Sequence, residues 1–257
     1  ERLGRALWSC RRRLSQGALP SFSSLPFPSI VLSFRTPDKR HMAWFALGVA
    51  GSLALGYGYQ YYWPWKALRF GDPLDPNGDL PLPLADSFEY FENNETARRK
   101  QGIFRLSGSA KRVSELIQQY ESGAAVNLED EEASTVCSLM KNFLKALPEP
   151  LIPFSFYPRF LDLAKEKDEE KWIEGAKELF AEMPKLNTTI CSRLFALLKS
   201  IGEEEEHNQM GAGNLSKVIF PMILVEGPGE LTPESLKHLP FLEKTAFKCI
   251  VHCEKIF

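Results

Sequence analysis

From about residue 80 to Phe257 the apolar residues return every three or four positions and nowhere alternate. That spacing builds helices that bury one face, and it denies the chain a half-buried sheet. It predicts a helix capped by Ser107 or Ser109, carrying Val113, Leu116, Ile117 and Tyr120 and ended by Gly123. A second helix is expected to start among Asp130, Glu131 and Glu132, where acids suit the helix dipole. It carries Ala133, Val136, Met140, Phe143, Leu144 and Leu147 and stops at Pro148. Lys171–Met183 follows around Trp172, Ala176, Leu179 and Phe180, and Thr188–Ile201 begins after an Asn187 cap. Asn214–Leu224 is largely apolar and reads as a central buried helix despite Pro221; Phe241–Phe257 closes the chain. The expected body, residues 80–257, is all-α and large enough for a core of its own.

Upstream the character changes. Residues 66–84 hold four prolines, two glycines and three aspartates, the composition of a turn-rich connector, and 66–79 is assigned as a linker. Before it, the 24 residues from Met42 to Trp65 contain no charge. As a helix they would span about 36 Å, against about 30 Å of bilayer hydrocarbon. Lys39, Arg40 and His41 precede the run, aromatic residues from Tyr57 to Trp65 crowd its exit, and Lys66 and Arg69 follow. These are the flanks of a membrane-spanning helix. Gly48, Ser52 and Gly56 place small residues on one face, the spacing that lets a second helix approach closely in lipid.

Residues 1–41 are rich in arginine and serine and nearly free of acid, as an organelle transit segment is. This favours a single-pass protein of the mitochondrial inner membrane. If translation instead starts at Met42, the nearest positive charges are Lys66 and Arg69, and the body is kept on the cytosolic side. Net charge is −2 overall, but residues 1–40 carry +6 and residues 80–257 carry −7. A body so acidic argues against nucleic-acid binding, where phosphate contacts dominate. Five scattered cysteines do not make a disulfide scaffold.

Four segments of the body then fall in one order: Gly102-Ile-Phe-Arg-Leu-Ser-Gly-Ser109, Leu139-Met-Lys-Asn-Phe-Leu-Lys-Ala-Leu-Pro-Glu-Pro-Leu151, Asn208-Gln-Met-Gly-Ala-Gly-Asn-Leu215, and Cys253-Glu-Lys-Ile-Phe257. Together they closely resemble the Rho GTPase-activating (RhoGAP) domain family over residues 80–257. The resemblance implies a helical domain that completes the active site of a Rho-type small GTPase; the GTP and Mg²⁺ belong to that partner. It places Arg105 at the catalytic arginine-finger position. It matches Lys141 and Asn214 to residues that face the GTPase, and Lys145 to an arginine that supports the finger loop. An arginine finger suits the chemistry because its planar fork stays charged and bridges two phosphoryl oxygens. The chain departs from the family pattern at Lys145, which lacks the planar fork, and at Phe220 and Met222 around Pro221.

No phosphate loop of the Walker type occurs, so the chain itself is not expected to bind GTP or any other cofactor. Cys249, His252 and Cys253 share one helical face but lack a fourth ligand, and no metal site is expected. Glu203–Glu206 reads as a solvated loop, and Ile103 and Phe104 as core. Two functions remain open. One is a membrane-anchored activator of a Rho-type GTPase, acting in signal transduction and not a free-standing enzyme. The other is a catalytically unused RhoGAP-like fold serving as an accessory subunit of an inner-membrane respiratory complex.

Overall fold

The computed structural model of the chain describes residues 69–228 and 233–257, with side chains from 236 onward in the second stretch. The basic arm 1–41, the expected membrane helix 42–65 and its Gly48/Ser52/Gly56 face lie outside the described residues. Those residues belong to the unit Ala67–Phe257, the second of two into which the chain divides. Among them there is no strand, and no helix is long and apolar enough to cross a membrane.

The helices in chain order are α1 (Leu82–Asn93), α2 (Glu95–Arg98), α3 (Ala110–Glu121), α4 (Ala133–Ala146), α5 (Tyr157–Leu163), α6 (Glu169–Glu182), α7 (Lys185–Gly202), α8 (Glu205–Asn208), α9 (Ala212–Ile223), α10 (Pro233–Val251) and α11 (Cys253–Ile256). A short 3-10 turn, Phe154–Phe156, leads into α5. Local chemistry sets several of the starts. Ser109 caps α3 by accepting from the Arg112 amide, and Asp168 caps α6 by accepting from the Lys171 amide at 3.0 Å. Glu169 and Glu170 then sit in the first turn of α6, where the dipole favours acids.

Helices α4, α7 and α9 make the centre. α1 packs on α4 and α7, α3 on α4, and α9 against α4, α7 and α10. One continuous core runs through the unit, from Leu84 and Phe88 through Val136, Met140 and Phe143 to Leu198, Ile219 and Ile250. Phe220, unusual against the family pattern, is buried in that core, and Met222 packs at its edge. The segment before α1 is docked: Phe70 stands edge-on to Phe143 at 5.3 Å between ring centroids, and Leu74 and Leu80 lie against the core.

Two helix starts differ from expectation. α7 begins at Lys185, directly after Pro184, so Asn187 lies inside the helix and is not its cap. Its buried side-chain amide instead donates to the Leu151 carbonyl at 2.8 Å, and the Ile152 amide donates to the Ile223 carbonyl. These bonds tie the Leu147–Pro153 bend to the core. α10 begins at Pro233 and runs through Pro240, eight residues ahead of the expected Phe241.

Candidate functional site

Arg105 stands on a loop that is fastened at several points. The chain between Lys100 and Leu106 closes into consecutive turns: Ile103 donates to the Lys100 carbonyl, and the amides of Arg105 and Leu106 both donate to the Gly102 carbonyl. Gly102 has φ +69° and Phe104 has φ +63°, the left-handed region that only glycine enters freely. A phenylalanine holds that conformation because tertiary packing fixes it: its ring and the Ile103 side chain are buried, as the sequence suggested, with Phe91 beside the Phe104 ring. The left-handed residue turns the next side chain outward. Arg105 is exposed, and its guanidinium has no hydrogen-bond or ion-pair partner among the described residues.

Helix α4 forms the floor beneath this loop. Thr135, Ser138, Lys141 and Lys145 recur on it at three- and four-residue spacing. The Ser138 hydroxyl accepts from the Gly108 amide at 3.0 Å. A Cβ on Gly108 would be driven into the backbone of Thr135, so only glycine allows the loop to lie this close. Gly108→Ala is expected to lift the loop off α4 and to lower stability by about 1–3 kcal/mol, as overpacking does. Thermal melts check this, with Gly213→Ala as a neutral control, since a Cβ there meets nothing within 4 Å.

Lys141 was expected on the partner-facing surface. In the structure it is half-buried, and its ammonium donates to the Phe104 carbonyl at 2.8 Å. Burial lowers its pKa, and the like charge of Lys145 one turn on lowers it further. Beside it, burial pushes the Cys137 thiol up to about 12, against a backbone hydrogen bond from Phe104 and the Lys141 charge. The side chain of α4 that holds the Arg105 loop is therefore Lys141. Lys145, expected to support the loop, is exposed and has no side-chain partner among the described residues. Lys141→Met keeps the aliphatic stem but strands the carbonyl of a strained residue, at a cost of about 1–3 kcal/mol. The expected outcome is a maximal rate of partner hydrolysis at least about tenfold lower with little change in partner affinity, read by single-turnover titration. An unchanged maximal rate would show the brace to be dispensable.

Asn214 is exposed in the first turn of α9, with its amide 3.5 Å from the Gln209 carbonyl, the outer limit of a hydrogen bond. Between it and the finger lies a residue that the sequence analysis quoted without assigning it a role. Asn208 is fully buried; its side-chain amide donates to the carbonyls of Arg98 at 2.9 Å and Ile201 at 2.7 Å, and its side-chain oxygen accepts from the Met210 amide at 2.7 Å. Its backbone carbonyl accepts from the Gly102 amide at 2.8 Å. One residue thus ties the Arg105 loop to the turn that leads into α9 and Asn214. Ser138 was missed as well, although its helical spacing from Lys141 was the available signal.

The acidic run after α7 is engaged, not simply solvated. Glu204 pairs with Arg99 at 2.8 Å, and Glu205 packs against Gly211. Among the described residues no cluster of three or more His, Cys, Asp or Glu side chains is placed to hold a metal ion.

Arg105 thus stands exposed, and unpaired among the described residues, on a loop held from α4 and from Asn208. The RhoGAP domain profile matches residues 81–227, and the chain belongs to that family. Rho GTPase-activating protein gacY of Dictyostelium discoideum is 32% identical over 63% of this chain and 23% of that protein. Rho GTPase-activating protein 20 of Rattus norvegicus is 30% identical over 62% of this chain and 13% of that protein. The chain therefore spans less than a quarter of the length of these curated relatives. Among solved structures, human Rho GTPase-activating protein 15 superposes with a TM-score of 0.63 at 26% identity, covering 69% of this chain and 84% of that one. The BH domain of GRAF, at 23% identity and a TM-score of 0.61, shares the fold.

Proposed function

We propose that this domain accelerates GTP hydrolysis by a Rho-family GTPase, with Arg105 as the finger and the 42–65 stretch holding it at a membrane. The observation that carries the reading is the exposed Arg105 guanidinium, unpaired among the described residues, on a loop held through Gly102, Phe104 and Gly108. A GTPase hydrolyses GTP slowly because charge building on the transferring phosphoryl oxygens is poorly neutralised. Arg105 brings that charge from outside. Its side chain carries no internal bond among the described residues that would have to break first, and the fixed backbone limits the entropy lost on insertion. Lys141 holds the loop from within through Phe104, while exposed Lys145 and Asn214 are left to meet the partner. The accessory-subunit reading would place Arg105 against a neighbouring chain; that the similar proteins are Rho GTPase-activating proteins favours the activator.

The test is single-turnover GTP hydrolysis by a panel of Rho-family GTPases mixed with the unit Ala67–Phe257. Acceleration of at least one of them is expected, and none from a folded unit would sink the activator reading. The anchor is tested separately on the full chain: it is expected to stay with membranes through alkaline extraction, and deletion of 42–65 to release it.

A further inference from the structure

Leu106, the residue after Arg105, leaves most of its side chain outside the core. It is 55% exposed, more than any other large apolar residue among the described residues. Its exposed neighbours in the chain are polar: Lys100 and Gln101 before it, Ser107, Ser109 and Lys111 after it. An isolated exposed leucine is ordinary in itself. Two features set this one apart. It is held still: its amide donates to the Gly102 carbonyl at 2.8 Å, and its Cγ and Cδ1 lie only 2.9 Å from where a Cβ on Gly102 would stand. The glycine is therefore what lets the leucine lie down on the turn. Leu106 is also carried wherever Arg105 goes. A guanidinium enters another protein's nucleotide site only if its own backbone reaches the rim of that site, and the next Cα is about 3.8 Å further on.

We propose that Leu106 is an affinity and specificity contact for the GTPase, its exposed part covered by an apolar patch that borders the partner's nucleotide site as Arg105 inserts. This rests on the activator reading and adds to it the chemistry of the surface selected. Burying an apolar side chain that is already fixed gains its transfer free energy with little further loss of rotamer freedom. The contact forms on docking, before charge builds on the phosphoryl oxygens, so it stabilises the complex and the transition state alike. Leu106 accordingly sets affinity, whereas Arg105 sets the rate. A GTPase with an aliphatic or aromatic side chain at that rim is favoured. One with a charge there loses water against Leu106 and gains no partner, and is rejected.

The experiment uses the unit Ala67–Phe257, within which the described residues build one continuous core, and a panel of Rho-family GTPases. Affinity is measured for each GTPase loaded with a non-hydrolysable GTP analogue, and the maximal rate by single-turnover hydrolysis at saturating domain. For the partners that the parent binds, Leu106→Ala is expected to weaken binding about three- to tenfold. Leu106→Asn, similar in size but polar, should weaken it at least as much, and Leu106→Met should restore most of it. The maximal rate should change much less than the affinity in every variant. Affinity untouched by both alanine and asparagine would overturn the proposal. So would a lowered maximal rate at unchanged affinity, which would make Leu106 a strut of the turn on Gly102. The parent tests the activator reading separately. If it binds the loaded GTPases but accelerates none, that reading fails and Leu106 is judged on affinity alone; if it neither binds nor accelerates, both are overturned.

Discussion

Arg105→Ala is expected to cut the domain's acceleration of partner GTP hydrolysis by roughly 10³–10⁵-fold, the usual worth of an arginine finger. That is a loss of about 4–7 kcal/mol of transition-state stabilisation from one exposed side chain. Stability should not follow, because the Arg105 side chain holds nothing in place among the described residues and its backbone bonds to Gly102 survive in alanine. Affinity for the GTP-bound partner should change far less than the rate, since the charge it neutralises appears only in the transition state. Arg105→Lys sharpens the test. It keeps the charge but loses the planar fork, and is expected to remain at least roughly a hundredfold below the parent, as when one transition-state donor is removed. Single-turnover hydrolysis at saturating domain, with partner affinity measured apart, separates these effects. An alanine variant as active as the parent would remove Arg105 from the mechanism.

The place of Arg105 between core residues and a turn was legible in the sequence: Ile103 and Phe104 are apolar, and a Ser-Gly-Ser turn follows. What holds that loop was not. The left-handed Phe104 breaks a local rule, and only the fit of its ring in the core makes it tolerable. Lys141 reads as a surface lysine on an amphipathic helix; its inward turn depends on where the loop carbonyl lies once the loop has settled on α4. The same limit applies to the helices. α3, α4 and α6 were foreseen within a few residues because capping side chains or acids mark their starts and their stripes are strong. α1 was not foreseen, its start falling at the end of the proline-rich connector, although Pro81-Leu-Pro83 is favourable for a helix start. Asn187 was misjudged and Asn208 passed over for one reason. A buried asparagine that satisfies distant carbonyls looks, in sequence, like any loop or cap asparagine.

Asn208 is therefore where the largest effect on folding is expected. Replacing it by alanine leaves the buried Met210 amide without its acceptor and removes the side-chain donors to the part-buried Arg98 carbonyl and to the Ile201 carbonyl, which keeps the Glu204 amide at 3.1 Å; the three lost bonds are 2.7–2.9 Å long. An unsatisfied buried polar group costs about 1–3 kcal/mol and each further lost hydrogen bond about 0.5–1.5 kcal/mol, so roughly 2–5 kcal/mol is expected. For a unit of this size that is about 4–20 °C in melting temperature. Stability is only half of the prediction. The Asn208 backbone carbonyl also receives the Gly102 amide, so loosening the residue frees the root of the Arg105 loop and the turn leading into α9 and Asn214 together. At a temperature where the variant is still folded, maximal rate and partner affinity should both fall. Arg105→Ala affects mainly the rate, and a purely destabilised scaffold affects neither once corrected for the folded fraction. Asn208→Asp gives the chemical control: it keeps the acceptor for Met210 but removes both donors and points a carboxylate at two carbonyls, so it should be no more stable than alanine. A melting temperature within about 2 °C of the parent for Asn208→Ala would mean that the junction is not held by this side chain. Normal stability with lost activity would place the coupling in the Gly102 bond alone.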